Sequence, residues 1–135
     1  MIQLCDICKK FNSGTVNETV LFNNFNFKVN KGDFISVIGS NGSGKTTMLN
    51  IICGTIGADS GKVIIGGHDM THKPDYERYK KIGRVYQNPA LGTCGDMNVL
   101  ENMSLADNKG KRFGFSSGVN KKSLIITGKC LARLA

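Results

Sequence analysis

The 135-residue sequence predicts an α/β fold on three observations. Residues Phe34–Ile38, "FISVI", are short, β-branched and apolar on both faces, as a strand buried in a parallel sheet requires. A glycine-rich turn follows at once, and then a helical stripe at Met48, Leu49, Ile51 and Ile52. Upstream, "TVLFNNFNFKVN" alternates instead: Phe25, Phe27 and Val29 fall on one face, with Asn24, Asn26 and Lys28 on the other. That period of two predicts an antiparallel β part ahead of the α/β core.

The remaining elements follow in order. "MIQLCDIC" reads as a strand closed by an Asn12-Ser13-Gly14 turn, and "NKGD" (30–33) is a second turn. The helix after the glycine turn runs about eight residues and stops at Gly54, a residue suited to the left-handed cap. "SGKVIIGGHDM" is a strand ending in the tight-turn pair Gly66-Gly67. "KPDYERYKKI" starts a helix at Pro74, with acids early and bases late as the helix dipole prefers. "IGRVYQ" is a short strand closed by Asn88-Pro89, and Met97–Ala106 is helical. Beyond a basic Gly/Ser/Lys-rich loop, Leu124, Cys130, Leu131 and Leu134 predict one further helix; no internal repeat is visible.

Composition narrows the class of function. The length suits one domain or part of a larger one, and 40% apolar residues support an ordinary core. No apolar run approaches the length of a membrane span, and "MIQLCDICKKF" lacks the basic-then-apolar order of a secretion signal, so a soluble intracellular protein is expected. Five scattered cysteines fit reduced thiols. Cys5 and Cys8 form a C-x-x-C with no second pair, and Ile2, Leu4 and Ile7 around them read as a packed strand, not half a zinc site. His68 and His72 lie in a Gly- and Thr-containing loop with no cysteine or acid to complete a ligand set, so they read as surface histidines. The net charge of +8 is uneven: residues 1–107 carry 11 basic and 10 acidic side chains, residues 108–135 seven basic and none acidic. The excess therefore sits in the tail, as in a solvated linker, and no aromatic interleaving marks it as a nucleic-acid surface.

The sharpest signal is "GSNGSGKT", Gly39-Ser40-Asn41-Gly42-Ser43-Gly44-Lys45-Thr46, which fits G-x-x-x-x-G-K-[ST] with a buried strand before it and a helix after it. Glycines permit unusual φ and close approach, so the amides of residues 42–47 can converge on a polyphosphate at the positive end of the helix. In such a cradle Lys45 reaches the β/γ oxygens, Thr46 ligates Mg2+ and Thr47 reaches the α-phosphate. Charge-assisted hydrogen bonds contribute about 1.5–3 kcal/mol each, against about 1–3 kcal/mol for stacking one base. Several of the first outweigh one of the second, so phosphates set affinity and base identity is read weakly.

Gly42 and the doubled hydroxyl Thr46-Thr47 make "GSNGSGKTT" resemble the Walker A loop of ATP-binding-cassette (ABC) ATPases. Three further stretches resemble that family in the same order: Phe11 in "CKKFNS", "ADSGKVIIGGHDMT", and "IGRVYQNPAL" with Gln87; "NVLENMSLA" looks like the start of its helical subdomain. The resemblance implies a P-loop NTPase (RecA-like) core with an antiparallel β subdomain at 1–33, a core to the Q-loop at 34–96, and the start of a helical subdomain at 97–135. It implies Phe11 as the adenine platform and Gln87 as a contact to Mg2+ and the attacking water. It implies ATP and Mg2+ as cofactors, integral-membrane permease subunits as partners, a second ATP-binding subunit, a substrate-binding protein, and a place on the inner face of the cell membrane powering solute import. No nucleic acid is implied.

The resemblance spans the whole chain but only the first part of the family's domain. Downstream of Gln87 the only acids are Asp96, Glu101 and Asp107, and none follows the apolar run that precedes a Walker B carboxylate. The catalytic glutamate, the signature segment and the switch histidine are absent as well; "FSSGVN" (115–120) is only an echo of the signature. The expectation is an ATPase portion truncated before its signature region and Walker B strand, binding Mg-ATP without hydrolysing it. Without its Walker B neighbour, Phe34–Ile38 should lack sheet pairing and expose an apolar edge. GTPase chemistry wants N-K-x-D where this chain has "NKKS" (120–123), and a small-molecule kinase wants an arginine-rich lid where only Arg78, Arg84, Arg112 and Arg133 exist. A non-transport ABC ATPase of translation or DNA repair, and a basic nucleic-acid-binding module, remain the alternatives. Salt separates the last of these: a nucleic-acid module's binding should weaken steeply as salt rises and survive Lys45→Ala, whereas nucleotide binding should be lost in that variant. Salt-sensitive DNA binding that survives the substitution, with no nucleotide binding, would contradict the phosphate-loop assignment.

Overall fold

Two long strands meet at the amino terminus with their alternation deliberately broken. In the computed structural model, which describes residues 1–109 and residue 125, β1 (Ile2–Phe11) and β2 (Thr19–Val29) run antiparallel from Ile2↔Val29 to Phe11↔Thr19. Between Leu4↔Phe27 and Ile7↔Phe25, β1 carries one extra residue; between Ile7↔Phe25 and Lys9↔Phe22 the extra residue is in β2. These two bulges centre on residues able to take positive φ, Asp6 (51°) and Asn24 (50°), and a third shift, between Lys9↔Phe22 and Lys10↔Val20, again leaves an extra residue in β2. Their polar groups are used locally: the Asp6 amide donates to Asn26 Oδ1 (3.0 Å), and Asn26 Nδ2 donates to Asp6 Oδ1 (2.9 Å) and Asn24 O (3.0 Å).

The bulges decide which side chains enter the core. In a regular strand Leu4 and Ile7 would face opposite sides, yet both are buried. Phe22 likewise joins Phe25 and Phe27 against the core, with ring centroids 4.8 Å apart for Phe22–Phe25 and 6.4 Å for Phe25–Phe27. The expected face of Phe25, Phe27 and Val29 is present, and Asn24 adds Phe22 to it.

The sheet order is β2-β1-β3-β4, with β3 (Ser60–Ile65) antiparallel to β1 and to the two-residue β4 (His68–Asp69) across the Gly66-Gly67 turn. Gly61 of β3 stands opposite the β1 bulge at φ 96°, and a Cβ there would lie 2.5 Å from Asp6 O and 2.6 Å from Cys5 O. Helix α1 (Lys45–Cys53) covers the sheet with Met48, Ile51 and Ile52, which pack with Leu4, Ile7, Val63, Ile65 and Met70. Gly54 ends α1 in the left-handed conformation, its amide bonded to Asn50 O and Ile51 O. Leu49, expected in the buried stripe, is 49% exposed; Cys53 is buried instead. The stripe of so short a helix is set by where the sheet lies, which periodicity does not specify.

Helix α2 (Asp75–Tyr79) begins after Pro74 as expected. The segment read as a buried parallel strand at Phe34–Ile38 pairs with no strand among the described residues; Phe34 is 98% exposed and Ile38 91%. The apolar side chains of the segment are exposed, but no strand forms there to present an edge. An apolar run encodes a demand for burial, and the neighbours that meet it must come from elsewhere in a chain. The strand read at "IGRVYQ" is also absent as a ladder: residues 82–86 belong to no strand of the sheet, and Val85 is exposed.

Residues Met1–Gly83 form one compact unit and Arg84–Ala135 another. In the second, Asn88 Oδ1 accepts from the Ala90 amide (3.0 Å) to start a 3-10 turn at Pro89–Leu91. Helix α3 (Val99–Asp107) opens with a capping box, Asn98 Oδ1 accepting from Glu101 N (2.9 Å) and Glu101 Oε2 from Asn98 N (2.8 Å). It replaces the expected Met97–Ala106 with a two-residue shift at its start. Apart from Ile125, the helix expected at Leu124–Leu134 lies outside the described residues, as do the basic residues from Lys111 onward, "FSSGVN" and "NKKS". Among the described residues no helix is long and apolar enough to cross a membrane.

Gly61→Ala should destabilise the chain by about 2–4 kcal/mol, since it adds both backbone strain and a clash with two fixed carbonyls. Gly67→Ala, at φ 80° with nothing within 4 Å of its Cβ, should lose only the strain. Urea unfolding of the two variants measures the difference, and equal losses would show that the bulge does not need the close approach.

Candidate functional site

Gly39–Gly44 links residues 33–38, which join no helix or strand, to the first turn of α1, and Gly39–Ser43 are exposed. Gly42 and Gly44 sit at φ 84° and 90°, which ordinary side chains rarely tolerate. A Cβ on Gly39 would lie 2.6 Å from Ser43 Oγ, and one on Gly44 would lie 3.0 Å from the Phe22 ring and 3.3 Å from Leu21 Cδ1. Glycine is thus needed at Gly44, where φ is positive and the turn settles on β2; at Gly39 the close atom is only the end of the exposed Ser43 side chain.

Lys45 closes over this loop. Its ammonium donates to Gly39 O (2.6 Å), Ser40 O (2.7 Å) and Ser43 Oγ (3.4 Å), and the Ser43 amide bonds Ser40 O (3.3 Å). The first helical amide to bond back is Met48 N, to Gly44 O at 2.8 Å. An α-helix leaves the N–H groups of its first turn without intrahelical acceptors, so those of Lys45, Thr46 and Thr47 are left for an acceptor outside the helix. No side chain caps that turn and no acidic residue lies in it. Thr46 is exposed beside Lys45 and Thr47 is half-buried. An ammonium, a row of helix-start amides, two hydroxyls and no carboxylate form a site for an anion.

The site residues expected from the sequence separate into two groups. Gly39, Ser40, Asn41, Gly42, Ser43, Gly44, Lys45, Thr46 and Thr47 form the one continuous turn and helix start just described, and Phe11 ends β1 in the same unit, 37% exposed. Gln87 belongs to the other unit, exposed just before the Asn88-capped turn, with the Arg84 guanidinium 4.6 Å over the neighbouring Tyr86 ring. The donors suit a Mg2+ carried in on phosphates: Thr46 offers one hard oxygen, and magnesium keeps waters and phosphate oxygens as its other ligands. An all-protein cage is not on offer, since no group of three His, Cys, Asp or Glu converges among the described residues. His68 and His72 are exposed, as expected, though His68 lies in β4 and not in a loop.

Two side chains around the site were not found from the sequence. Lys9 Nζ lies 5.5 Å over the Phe11 ring while pairing with Asp59 Oδ1 at 2.7 Å, and Asp59 Oδ2 accepts from the Lys10 amide at 2.6 Å. The Lys9 ammonium, then the Lys10 amide, hold the Asp59 carboxyl below its usual range. Lys9 is invisible in sequence because Asp59 lies 50 residues away. Arg78, read as a base for the α2 dipole, is instead buried at the far end of α1, where desolvation lowers its affinity for the proton.

The ABC transporter family model matches residues 22–127. The chain is 39% identical over 123 residues to the tyrosine transport ATP-binding protein of Clostridioides difficile (strain R20291), covering 91% of this chain and 49% of that protein. It is 36% identical over 104 residues to the spermidine/putrescine import ATP-binding protein PotA of Pasteurella multocida (strain Pm70), covering 77% of this chain and 26% of that one. A solved dimeric ATP-binding cassette, in a post-hydrolysis state bound to ADP and Pi, superposes with a TM-score of 0.78 at 29% identity, over 98% of this chain and 56% of that chain. The chain thus spans half or less of the length of these curated relatives.

Because the folded-state affinity of Asp59 for its proton is lowered, its stabilising effect is complete above the ordinary carboxylate range. It is lost as pH falls below about 4 and through the depressed value. Asp59→Asn should therefore lower the urea midpoint at pH 7, and the gap to the unsubstituted chain should close towards pH 3. A gap independent of pH would mean that the carboxylate's charge is not what couples Asp59 to Lys9.

Proposed function

The chain belongs to the ABC transporter family, and from that premise we propose that residues 39–47 bind the phosphates of Mg-ATP in a subunit that powers solute movement through a separate membrane permease. The observation that carries this reading is the Lys45 ammonium bonded to Gly39 O and Ser40 O across a turn whose Gly42 and Gly44 sit at φ 84° and 90°. A polyphosphate entering the turn offers Lys45 full negative charge in place of two neutral carbonyls. The exchange replaces hydrogen bonds charged on one side with ones charged on both.

Each residue then has a distinct task. Lys45 holds the β/γ oxygens, and the amides around Gly42–Thr47 hold the rest of the chain of phosphates. Thr47 reaches the α-phosphate. Thr46 and Gln87 would hold Mg2+, which when bound supplies neutralisation of charge on the β and γ oxygens. Phe11 offers a face to adenine, with Lys9 over the same ring. In this reading 1–33 is the antiparallel β part, 34–96 the phosphate-loop core to the Q-loop, and 97–135 the start of the helical subdomain. The 135 residues contain no carboxylate placed as a Walker B or catalytic acid, so on their own they bind ATP without turning it over.

The transport reading draws on the relatives' names. One is a tyrosine transport protein and another a spermidine/putrescine import protein, which favours import. The partners proposed are integral-membrane permease subunits, a second ATP-binding subunit and a substrate-binding protein, with the chain on the cytoplasmic face of the membrane. The dimeric state of a solved relative supports the second subunit.

Equilibrium dialysis with Mg-ATP tests the site. The unsubstituted chain should bind, and Lys45→Ala should lose about tenfold or more in affinity, the size of one charge-assisted contact, with unchanged circular dichroism. Phosphate release should stay at the buffer blank. Equal binding by Lys45→Ala would remove the nucleotide reading, and turnover abolished by that substitution would show that the chain hydrolyses after all.

A further inference from the structure

Arg78 is 3% exposed, yet among the described residues it has no carboxylate partner. A buried charge without a counter-ion is costly unless its hydrogen bonds are satisfied, and here four carbonyls satisfy it. The guanidinium donates to Ile51 O (2.6 Å) and Ile52 O (3.3 Å) at the end of α1, to Thr71 O (3.0 Å) and to Lys73 O (3.1 Å). Helix α1 has no basic residue in its own last turn. Gly54 makes room for the contact, since a Cβ there would lie 2.8 Å from Arg78 Nε. Thr71 is in turn fixed to the sheet: its amide bonds Asp69 Oδ1 (2.9 Å) and its hydroxyl accepts from Val63 N (3.0 Å).

We propose that Arg78 is a positioning residue for the phosphate loop, bracing the carboxyl end of α1 against the β3–β4 hairpin so that the amides at the other end keep their places. The inference rests on the nucleotide reading above. Helix α1 has nine residues, about 13 Å at 1.5 Å per residue, and it moves as a short rod. Its amino end rests on Leu21 and Phe22 through Gly44 and its carboxyl end on Arg78, so a shift at one end is felt at the other. The charge itself acts on the helix end it touches. The guanidinium bonds carbonyls only at the carboxyl end of α1 and beside the hairpin, so Arg78 works through the placement of that end.

The test uses the full chain, Mg-ATP, and the substitutions Arg78→Met and Arg78→Lys. Dialysis is done well below each variant's melting temperature, where a merely structural role lowers the melting point and leaves affinity alone. Arg78→Met should weaken Mg-ATP binding about tenfold, and Arg78→Lys, which keeps a donor and the stem, about threefold. In the unsubstituted chain, Mg-ATP should slow amide exchange at Ile51–Gly54 as well as at residues 44–48, which needs no variant to fold. Affinities within about twofold of the original, or protection confined to residues 39–49, would overturn the proposal. An unsubstituted chain that binds no Mg-ATP would instead remove the nucleotide reading, and this inference with it.

Discussion

The packing of one short helix on one antiparallel sheet is the constraint from which the site follows. Nine residues are too few to hold a helix in water by propensity alone. Helix α1 exists because Met48, Ile51 and Ile52 bury against Leu4, Ile7, Val63 and Ile65, each such side chain contributing about 1.5–3 kcal/mol. Burial of the carboxyl half fixes the direction of the amino half, and the first-turn amides are presented at a set angle as a result. The loop before them is bare where Gly42 and Gly44 take positive φ and where Gly44 meets Leu21 and Phe22.

That packing depends on two irregularities in the strands beneath. Regular alternation would split Leu4 from Ile7 and Phe22 from Phe25. The extra residue of β1 at Asp6 and that of β2 at Asn24 return them to a common face. The bulge in β1 then requires Gly61 in β3, so a single glycine on a third strand supports the surface on which α1 lies. The phosphate loop touches this arrangement directly, through Gly44 on Phe22.

The family membership and the P-loop NTPase fold agree with the local chemistry at every level that the described residues reach. The parallel half of the expected α/β core is where they diverge. Phe34–Ile38 and residues 82–86 carry apolar side chains of strand type, yet neither joins a ladder among the described residues. The sheet that does form is wholly antiparallel and is made from β1 to β4, with the 60–69 hairpin added to the two amino-terminal strands. Their own hydrogen bonds close that sheet within the first 69 residues, whereas a parallel strand depends on partners distant in sequence.

Local rules were enough for the features whose cause is local. The order Gly39 to Thr47 fixes a turn with positive φ at Gly42 and Gly44 and a helix start at Lys45. Gly54 fixes the helix stop, Gly66-Gly67 the hairpin, and Pro74 the start of α2; all of these are read correctly from neighbours a few residues apart. What needed the tertiary structure were relations across tens of residues. Which strands pair, that Phe22 faces inward while Leu49 does not, that Lys9 reaches Asp59 and lies over Phe11, and that Arg78 is buried on the end of α1 are all of this kind. A sequence states what each residue requires, but the partner that meets the requirement is chosen by packing, because burial and hydrogen bonding act between surfaces and not along the chain.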